Sequence, residues 1–368
     1  VAGNPTAEET EKAAFSEKMV AILNGGALNL AMAIGYRTGL FDVLAGLEHP
    51  QTAAAIAASA GLHHRYVREW LSVMATGGIV ELTASDRGGG LYRLPAAHAA
   101  FLTRASGNPN LAVYTQEIPL LTTCALDPVM AGFKSGDGIP YDRYPEFQAF
   151  MTELSDAKHR DVLVDRFLPS VDDGRLVARL QQGMRVCDLG CGEGLAARLM
   201  ARAYPRSRFV GLDISPAAIE SARQAAASEG LDNITFEVRD AARLCEDEAL
   251  RGTCDYLLAF DAIHDQTRPL EALRGAHHLL APGGVFSMID IAAETEPAQN
   301  LEHPMGPFLY TVSLMHCMPV GLANGGAGLG MMWGRQKALE MLAAAGFEQV
   351  TVVPMDHDPF NRHFFCRR

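Results

Sequence analysis

Two acids and three glycines carry the clearest chemical signal in this sequence. Asp188-Leu189-Gly190-Cys191-Gly192-Glu193-Gly194 sets glycine at alternate positions behind a carboxylate. Glycines in such a turn let the backbone approach a ligand closely and open the N-terminus of the next helix towards it. A carboxylate at that point can hold an ammonium group, whereas it repels a pyrophosphate. Asp213, 25 residues beyond Asp188, ends the segment Arg208-Phe209-Val210-Gly211-Leu212-Asp213. An acid there accepts hydrogen bonds from both hydroxyls of a ribose. The bland alternative is a pair of helix-capping aspartates in an unrelated α/β domain.

These residues need a scaffold, and the surrounding pattern supplies one. Met184 to Asp188 reads as a strand, the glycine turn follows, and a helix runs to about Arg202. From there strands and helices alternate, which implies a parallel sheet with helices on both faces. Upstream, residues about 8–45 read as helices whose apolar positions include Phe15, Met19, Ile22, Leu23, Leu30 and Ile34. That face is too apolar for an isolated helix and implies burial in a domain or a dimer interface. Between about 50 and 100 the rhythm changes. Thr52 caps a short helix that ends near Ala60, and Gly61 makes the turn. A second helix, about His63 to Ala75, carries Tyr66, Val67, Trp70, Leu71 and Met74 on one face. Ile79–Leu82 and Leu91–Leu94 then flank Gly88, Gly89 and Gly90 as a short hairpin, so the whole spells a winged helix. DNA binding would fall to His63, His64, Arg65 and Arg68. So few cations favour a dimerisation and substrate-covering module instead. The expected division is a helical and winged-helix domain over 1–105, a helical bridge over 106–180, and an α/β domain over 181–368.

Composition narrows the function classes. Of 368 residues, 43 are acidic and 31 basic, a formal charge of −12 that disfavours a nucleic-acid partner. The seven cysteines are scattered without a CxxC pair, so they read as reduced thiols and not as a disulfide framework. The first 18 residues lack a basic stretch followed by an apolar run, and no stretch reads as long and apolar enough to span a bilayer. The expectation is a cytoplasmic protein without a membrane partner.

The residues around the glycine turn resemble the class I S-adenosylmethionine (SAM) dependent methyltransferases. Ile234-Thr235-Phe236-Glu237-Val238-Arg239-Asp240-Ala241 looks like that family's third strand, and Cys254 to Asp261 like the fourth. Leu280-Ala281-Pro282-Gly283-Gly284-Val285-Phe286 is similar to the PGG turn and fifth strand. Phe347–Val353 and His363–Arg367 fit the closing strands. The resemblance implies a Rossmann-like α/β domain with a seven-stranded sheet whose last strand is antiparallel. It implies SAM as cofactor and S-adenosylhomocysteine (SAH) as product. The cofactor-binding residues would be Asp188, Gly190, Gly192, Gly194, Asp213, Ile214, Asp240, Ala241 and Phe260.

His264-Asp265 follows the fourth strand, as in small-molecule O-methyltransferases with a winged-helix dimerisation domain, where the histidine is the general base. Imidazole titrates near neutrality and can take a hydroxyl proton as the oxygen attacks the methyl. Gln266 stands where an aromatic residue usually follows that pair, a departure from the plant-type phenol enzymes. A bacterial group of winged-helix methyltransferases, with mycobacterial members, is closer still. The resemblance there rests on Ala31–Phe41, Phe260–Gln266, Ser313–Met318 and Gly325–Gly330. Homodimerisation through the N-terminal domain follows from the resemblance. A lid insertion is expected at about 292–332, with Phe308, Tyr310, Leu314, Met315, Met318, Met331, Met332 and Trp333 lining a cavity or packing the lid itself. His316 resembles a histidine of metal-dependent C-methyltransferases of 2-oxo acids, in which two histidines and an aspartate hold the metal. Three readings stay open: O-methylation of a small-molecule acceptor with His264 as base, metal-dependent C-methylation using His264, Asp265 and His316, and a SAM-binding DNA regulator. A divalent metal is the less favoured option. His277-His278, beside the PGG turn, read as solvated surface.

Overall fold

The computed structural model describes residues 6–84, 90–106 and 110–368. The expected wing-tip residues Gly88 and Gly89 lie outside them. The chain folds as two compact units, Val1–Pro119 and Leu120–Arg368.

In the first unit, Thr6 and Glu9 form a capping box that starts the helix Ala7–Arg37. This helix packs closely on the helix His64–Thr76: Trp70 Nε1 donates to Ala31 O at 2.8 Å, and a Cβ on Gly35 would stand 2.3 Å from the Trp70 ring. The short helix Ala53–Ala60 is capped by Thr52 and ended by Gly61 in the left-handed conformation, as its sequence predicts. Glu81–Ala84 pairs antiparallel with Gly90–Arg93, which completes a winged helix. One expectation fails. Ala7–Arg37 is, by length and composition alone, long and apolar enough to cross a membrane. Asn29 on that helix donates to Thr115 O at 3.2 Å, so part of its surface is used inside the unit. Phe15, Val20, Ile22, Leu23, Leu30 and Ile34 remain exposed.

The second unit holds a seven-stranded sheet, here labelled β1 (Arg185–Leu189), β2 (Arg208–Asp213), β3 (Ile234–Val238), β4 (Cys254–Phe260), β5 (Leu280–Ile291), β6 (Gln349–Pro354) and β7 (Asn361–Arg367). The spatial order is β3-β2-β1-β4-β5-β7-β6, with β7 antiparallel to both neighbours and the pairs from β3 to β5 parallel. Val186, Cys187, Asp188 and Leu189 are all buried, as a central parallel strand covered on both faces requires. One core layer joins β1 and β4 to the helices Leu195–Ala203 and Pro216–Ser228, and the other packs Pro269–Leu279 and Gly334–Ala344 on the opposite face. Pro282-Gly283-Gly284 forms a bulge at the start of β5: Gly283 takes φ of 73°, and the register with β4 shifts between Cys254 and Tyr256. His278 is not surface. It is buried, with its Nε2 3.0 Å from Asp247 O, because its helix packs on the 3₁₀ turn Ala241–Glu246. All seven cysteines are free thiols.

From β1 the chain builds β2 and β3 on one side, then returns past β1 to add β4 and β5 on the other. In open α/β sheets, ligands bind in the crevice at the carboxyl ends of the strands where the order reverses. Here that crevice lies between β1 and β4.

Candidate active site

The glycine turn leaves the carboxyl end of β1. Gly190, Gly192 and Gly194 have φ of 75°, 53° and 73°, a left-handed run that only glycine adopts without strain. The turn is fixed from β2: Gly190 N and Cys191 N both donate to Leu212 O, at 2.8 and 3.1 Å. Asp213 completes it, accepting from Gly192 N at 2.9 Å through Oδ2 and from Ser215 N at 2.8 Å through Oδ1. Each oxygen keeps a further lone pair for a ligand hydroxyl. Asp188 is buried at 3% exposure, and burial, together with the charge of Asp213, pushes its carboxyl up to about 7. A buried acid held near half-ionisation favours a cationic ligand, which would restore its charge. Ile214, next along, is 62% exposed. Asp240 is partly committed elsewhere: it caps the 3₁₀ turn through Ala242 N at 2.9 Å and pairs with Arg268 at 2.7 Å. Ala241 is buried beside it. Phe260 ends β4 and packs on His159 at 4.7 Å and on Phe167 at 5.5 Å between ring centroids.

His264 follows β4 and is 3% exposed. Its Nδ1 lies 2.7 Å from Oδ1 of Asp290, a fully buried residue of β5. Its Nε2 lies 3.4 Å from Asp265 Oδ1. Burial opposes charge on the ring, but the carboxylates of Asp290 and Asp265 outweigh it and hold His264 well above the ordinary histidine range. The loop that carries it is strained, since Asp261 has φ of 47° and its buried carboxyl, accepting from Asn361 Nδ2 at 3.1 Å, is raised to about 6 by burial.

His316 arrives from far along the chain. The segment 292–332 contains the helices Gly306–Val312 and Met318–Leu322, joined by a π-turn, Ser313–Cys317, that carries both His316 and Cys317. Such turns recur at functional sites. His316 Nδ1 stands 4.0 Å from Asp265 Oδ2 and 3.5 Å from Cys317 Sγ, so the structure brings His264, Asp265 and His316 together. Three aromatic rings hold His316: Phe147 at 4.2 Å, Tyr144 at 4.7 Å and Tyr141 at 5.8 Å. Tyr144 OH donates to Met315 O at 2.8 Å and Ile139 N to Pro319 O at 2.9 Å, which ties residues 139–144 to the lid. Burial raises the Tyr141 hydroxyl, and the charges of Asp265 and Asp213 raise it further, so this residue lies within the field of both acids. The other lid residues divide. Trp333 joins the main core, Met332 packs with Phe308, Tyr310 and Met331 in a small cluster that includes Ile291 at the end of β5, and Leu314 is 36% exposed.

Sequence reasoning missed Asp290, Cys317 and Tyr141. Asp290 is hidden in the apolar strand Val285–Ile291, and only its burial as an acid marks it. Cys317 adjoins His316 in the sequence, and that adjacency was the available signal. Tyr141 sits in the Pro-rich bridge, where nothing local distinguishes it.

The glycine turn thus lies beside two acids, Asp188 and Asp213, at the carboxyl ends of β1 and β2, and the loop after β4 carries a buried histidine backed by Asp290. Residues 180–346 match the family described as Methyltransferase domain, and residues 26–104 match the Rv2258c-like winged HTH domain. Among relatives, trans-aconitate 2-methyltransferase of Variovorax paradoxus is 31% identical over 153 residues, covering 41% of this chain and 55% of that protein. A probable phthiotriol/phenolphthiotriol dimycocerosates methyltransferase of Mycobacterium ulcerans is 32% identical over 117 residues, 32% of this chain and 43% of the relative. The chain thus spans about half the length of these relatives. Two solved structures share the fold over almost the whole chain. Human N-acetylserotonin methyltransferase in complex with SAM has a TM-score of 0.69 at 16% identity, covering 100% of this chain and 99% of that one. The mitomycin 7-O-methyltransferase MmcR has a TM-score of 0.68 at 18% identity, covering 98% and 99%. Residues 180–346 are thus similar to the methyltransferase-domain family, and residues 26–104 to the Rv2258c-like winged HTH domain.

Proposed function

We propose that the chain is a SAM-dependent methyltransferase for a small-molecule hydroxyl acceptor, with SAH as the second product. The observation that carries this reading is the placement of Asp188 before the left-handed glycine turn and of Asp213 hydrogen-bonded to it, at the same carboxyl ends of the strands as the His264–Asp290 pair. Asp188 holds the ammonium of SAM and Asp213 the ribose, with Ile214, Asp240, Ala241 and Phe260 completing the cofactor pocket. The acceptor oxygen takes the methyl as the sulfonium C–S bond breaks, and its proton passes to His264 Nε2 once the ring is neutral, which the carboxylates of Asp290 and Asp265 move to a pH above the ordinary histidine range. Asp290 fixes the ring by accepting from Nδ1–H and stabilises the imidazolium that forms. The remaining acceleration comes from holding the oxygen in line with the sulfonium.

A pH series tests the cofactor half. SAM binds the ionised form of Asp188, whose carboxyl burial pushes up to about 7. Affinity therefore rises with pH through about 7 and falls once the SAM amine, with an ordinary pKa of about 8, deprotonates. Asp188→Asn should bind SAM weakly and without the acidic limb. An acidic limb that persists in this variant assigns it to another group.

A second reading, metal-assisted C-methylation of a 2-oxo acid, draws support from the convergence of His264, Asp265 and His316. Support for a DNA regulator is thinner, because Arg65 spends its charge on Glu69 at 2.5 Å.

The exposed apolar face of Ala7–Arg37 supports homodimerisation. Sedimentation should find a wild-type dimer and a folded monomer for the double variant Ile22→Glu, Leu23→Glu; equal masses for the two would remove this face from the interface.

A further inference from the structure

The backbone that carries His264 is a tight turn over residues 263–266. His264 and Asp265 are its two central residues, and Gln266 N closes it by donating to Ile263 O at 3.2 Å. Ile263 is buried in the sheet core, which anchors the first residue of the turn. Just upstream, Asp261 stands at φ of 47°. A strained residue of this kind persists only where its surroundings over-determine it.

Three contacts supply that determination. Gln266 Nε2 reaches back across the turn and donates to Ala262 O at 3.0 Å. A phenylalanine at this position would offer the carbonyl no side-chain donor. Ala262 in turn abuts the glycine turn after β1: a Cβ on Gly190 would stand 2.6 Å from Ala262 Cβ. The lid holds the other end. Ala327 N donates to Thr267 O at 2.9 Å, and a Cβ on Gly326 would stand 2.8 Å from Thr267 Cα and strike Gly321 O. Only glycine lets the lid backbone come this close. The lid helix Met318–Leu322, just before this loop, is itself tied down by Ile139 N donating to Pro319 O at 2.9 Å.

We propose that Gln266 and Gly326 are positioning residues for His264: Gln266 clasps the turn across its base, and Gly326 lets the lid latch onto Thr267. Asp290 holds the ring at Nδ1, and the clasped turn fixes the backbone from which that ring projects. The inference rests on the reading of His264 as the base and deepens it. The amide of Gln266, where the plant-type enzymes carry an aromatic residue, thereby has a use. The glycine loop gives the lid a part in the chemistry, since a lid displaced from Thr267 frees the turn that carries the base.

The test reads the His264–Asp290 hydrogen bond by proton NMR on the full-length protein, with no acceptor added. A proton between an imidazole and a buried carboxylate at 2.7 Å should resonate downfield of the amides, and His264→Gln assigns it by its loss. Gln266→Met keeps the side-chain length and removes the donor. It should speed solvent exchange of that proton about fivefold, the factor that one lost hydrogen bond supplies. Gly326→Ala, which forces the lid off Thr267, should speed it about tenfold or more. Asn324→Gly should leave the rate at the wild-type value, because this exposed residue of the same loop is left-handed, with φ of 57°. Circular dichroism should match wild type throughout; if Gly326→Ala does not fold, Gln266→Met decides alone. Wild-type exchange in Gln266→Met and in a folded Gly326→Ala would overturn the proposal. So would a wild-type spectrum with no signal lost in His264→Gln, since the turn would then not be holding the ring. SAM calorimetry on the same proteins reads the methyltransferase assignment separately, and the single-turnover rate of His264→Ala reads the base assignment.

Discussion

Replacing Asp213 with alanine will weaken SAM binding by roughly two orders of magnitude. Each oxygen of Asp213 already accepts one backbone N–H, from Gly192 or Ser215, and keeps a lone pair for a ribose hydroxyl. Hydrogen bonds to a charged partner contribute about 1.5–3 kcal/mol each, so losing two costs about 3 kcal/mol or more. At 1.4 kcal/mol per tenfold, that is about a hundredfold or greater. The variant also frees the Gly192 amide and loosens the turn, which adds to the loss. Asp213→Asn separates the two effects, since one amide oxygen can still accept while the NH2 turns an acceptor into a donor. Calorimetry should rank wild type, Asp213→Asn and Asp213→Ala in descending affinity. Equal affinities across the three would place the ribose elsewhere.

The second large effect belongs to His264. His264→Ala should lower kcat by about a thousandfold, within the 10²–10⁴ that a positioned proton-transfer group contributes. Its affinity for SAM should stay near wild type, because none of the contacts that shape the cofactor turn passes through His264. Asp290→Asn should fall between, with the imidazole in place but less firmly oriented. Single-turnover rates with a radiolabelled methyl group read the chemistry apart from binding. A His264→Ala variant with unchanged single-turnover rate would remove the histidine from the reaction.

Much of this site is local in the sequence, and that part was legible. The glycine turn and its two acids report backbone geometry within 25 residues, and the structure shows the left-handed run that their spacing implies. The sheet was legible for the same reason, since each strand is a short apolar segment bounded by turns. The interior partners were not. Asp290 reads as one polar residue in a buried strand, and only pairing β5 beside β4 brings it to His264. Cys317 and Tyr141 reach the site through a lid and a bridge whose packing no local pattern encodes. His278 shows the converse error: a histidine pair at a helix end reads as solvated until the Ala241–Glu246 turn covers it. The helix Ala7–Arg37 is charged from Glu8 to Lys18 and apolar beyond, so its sequence implies a covering surface without saying what covers it.

The central claim is that the crevice at the ends of β1 and β4 binds SAM, and equilibrium titration of the wild-type chain with SAM, SAH and NAD tests it most directly. The account predicts saturable binding of SAM and SAH at about one per chain, with no binding of NAD, whose pyrophosphate meets Asp188. Saturable NAD binding, or none of SAM at millimolar concentration, would contradict it.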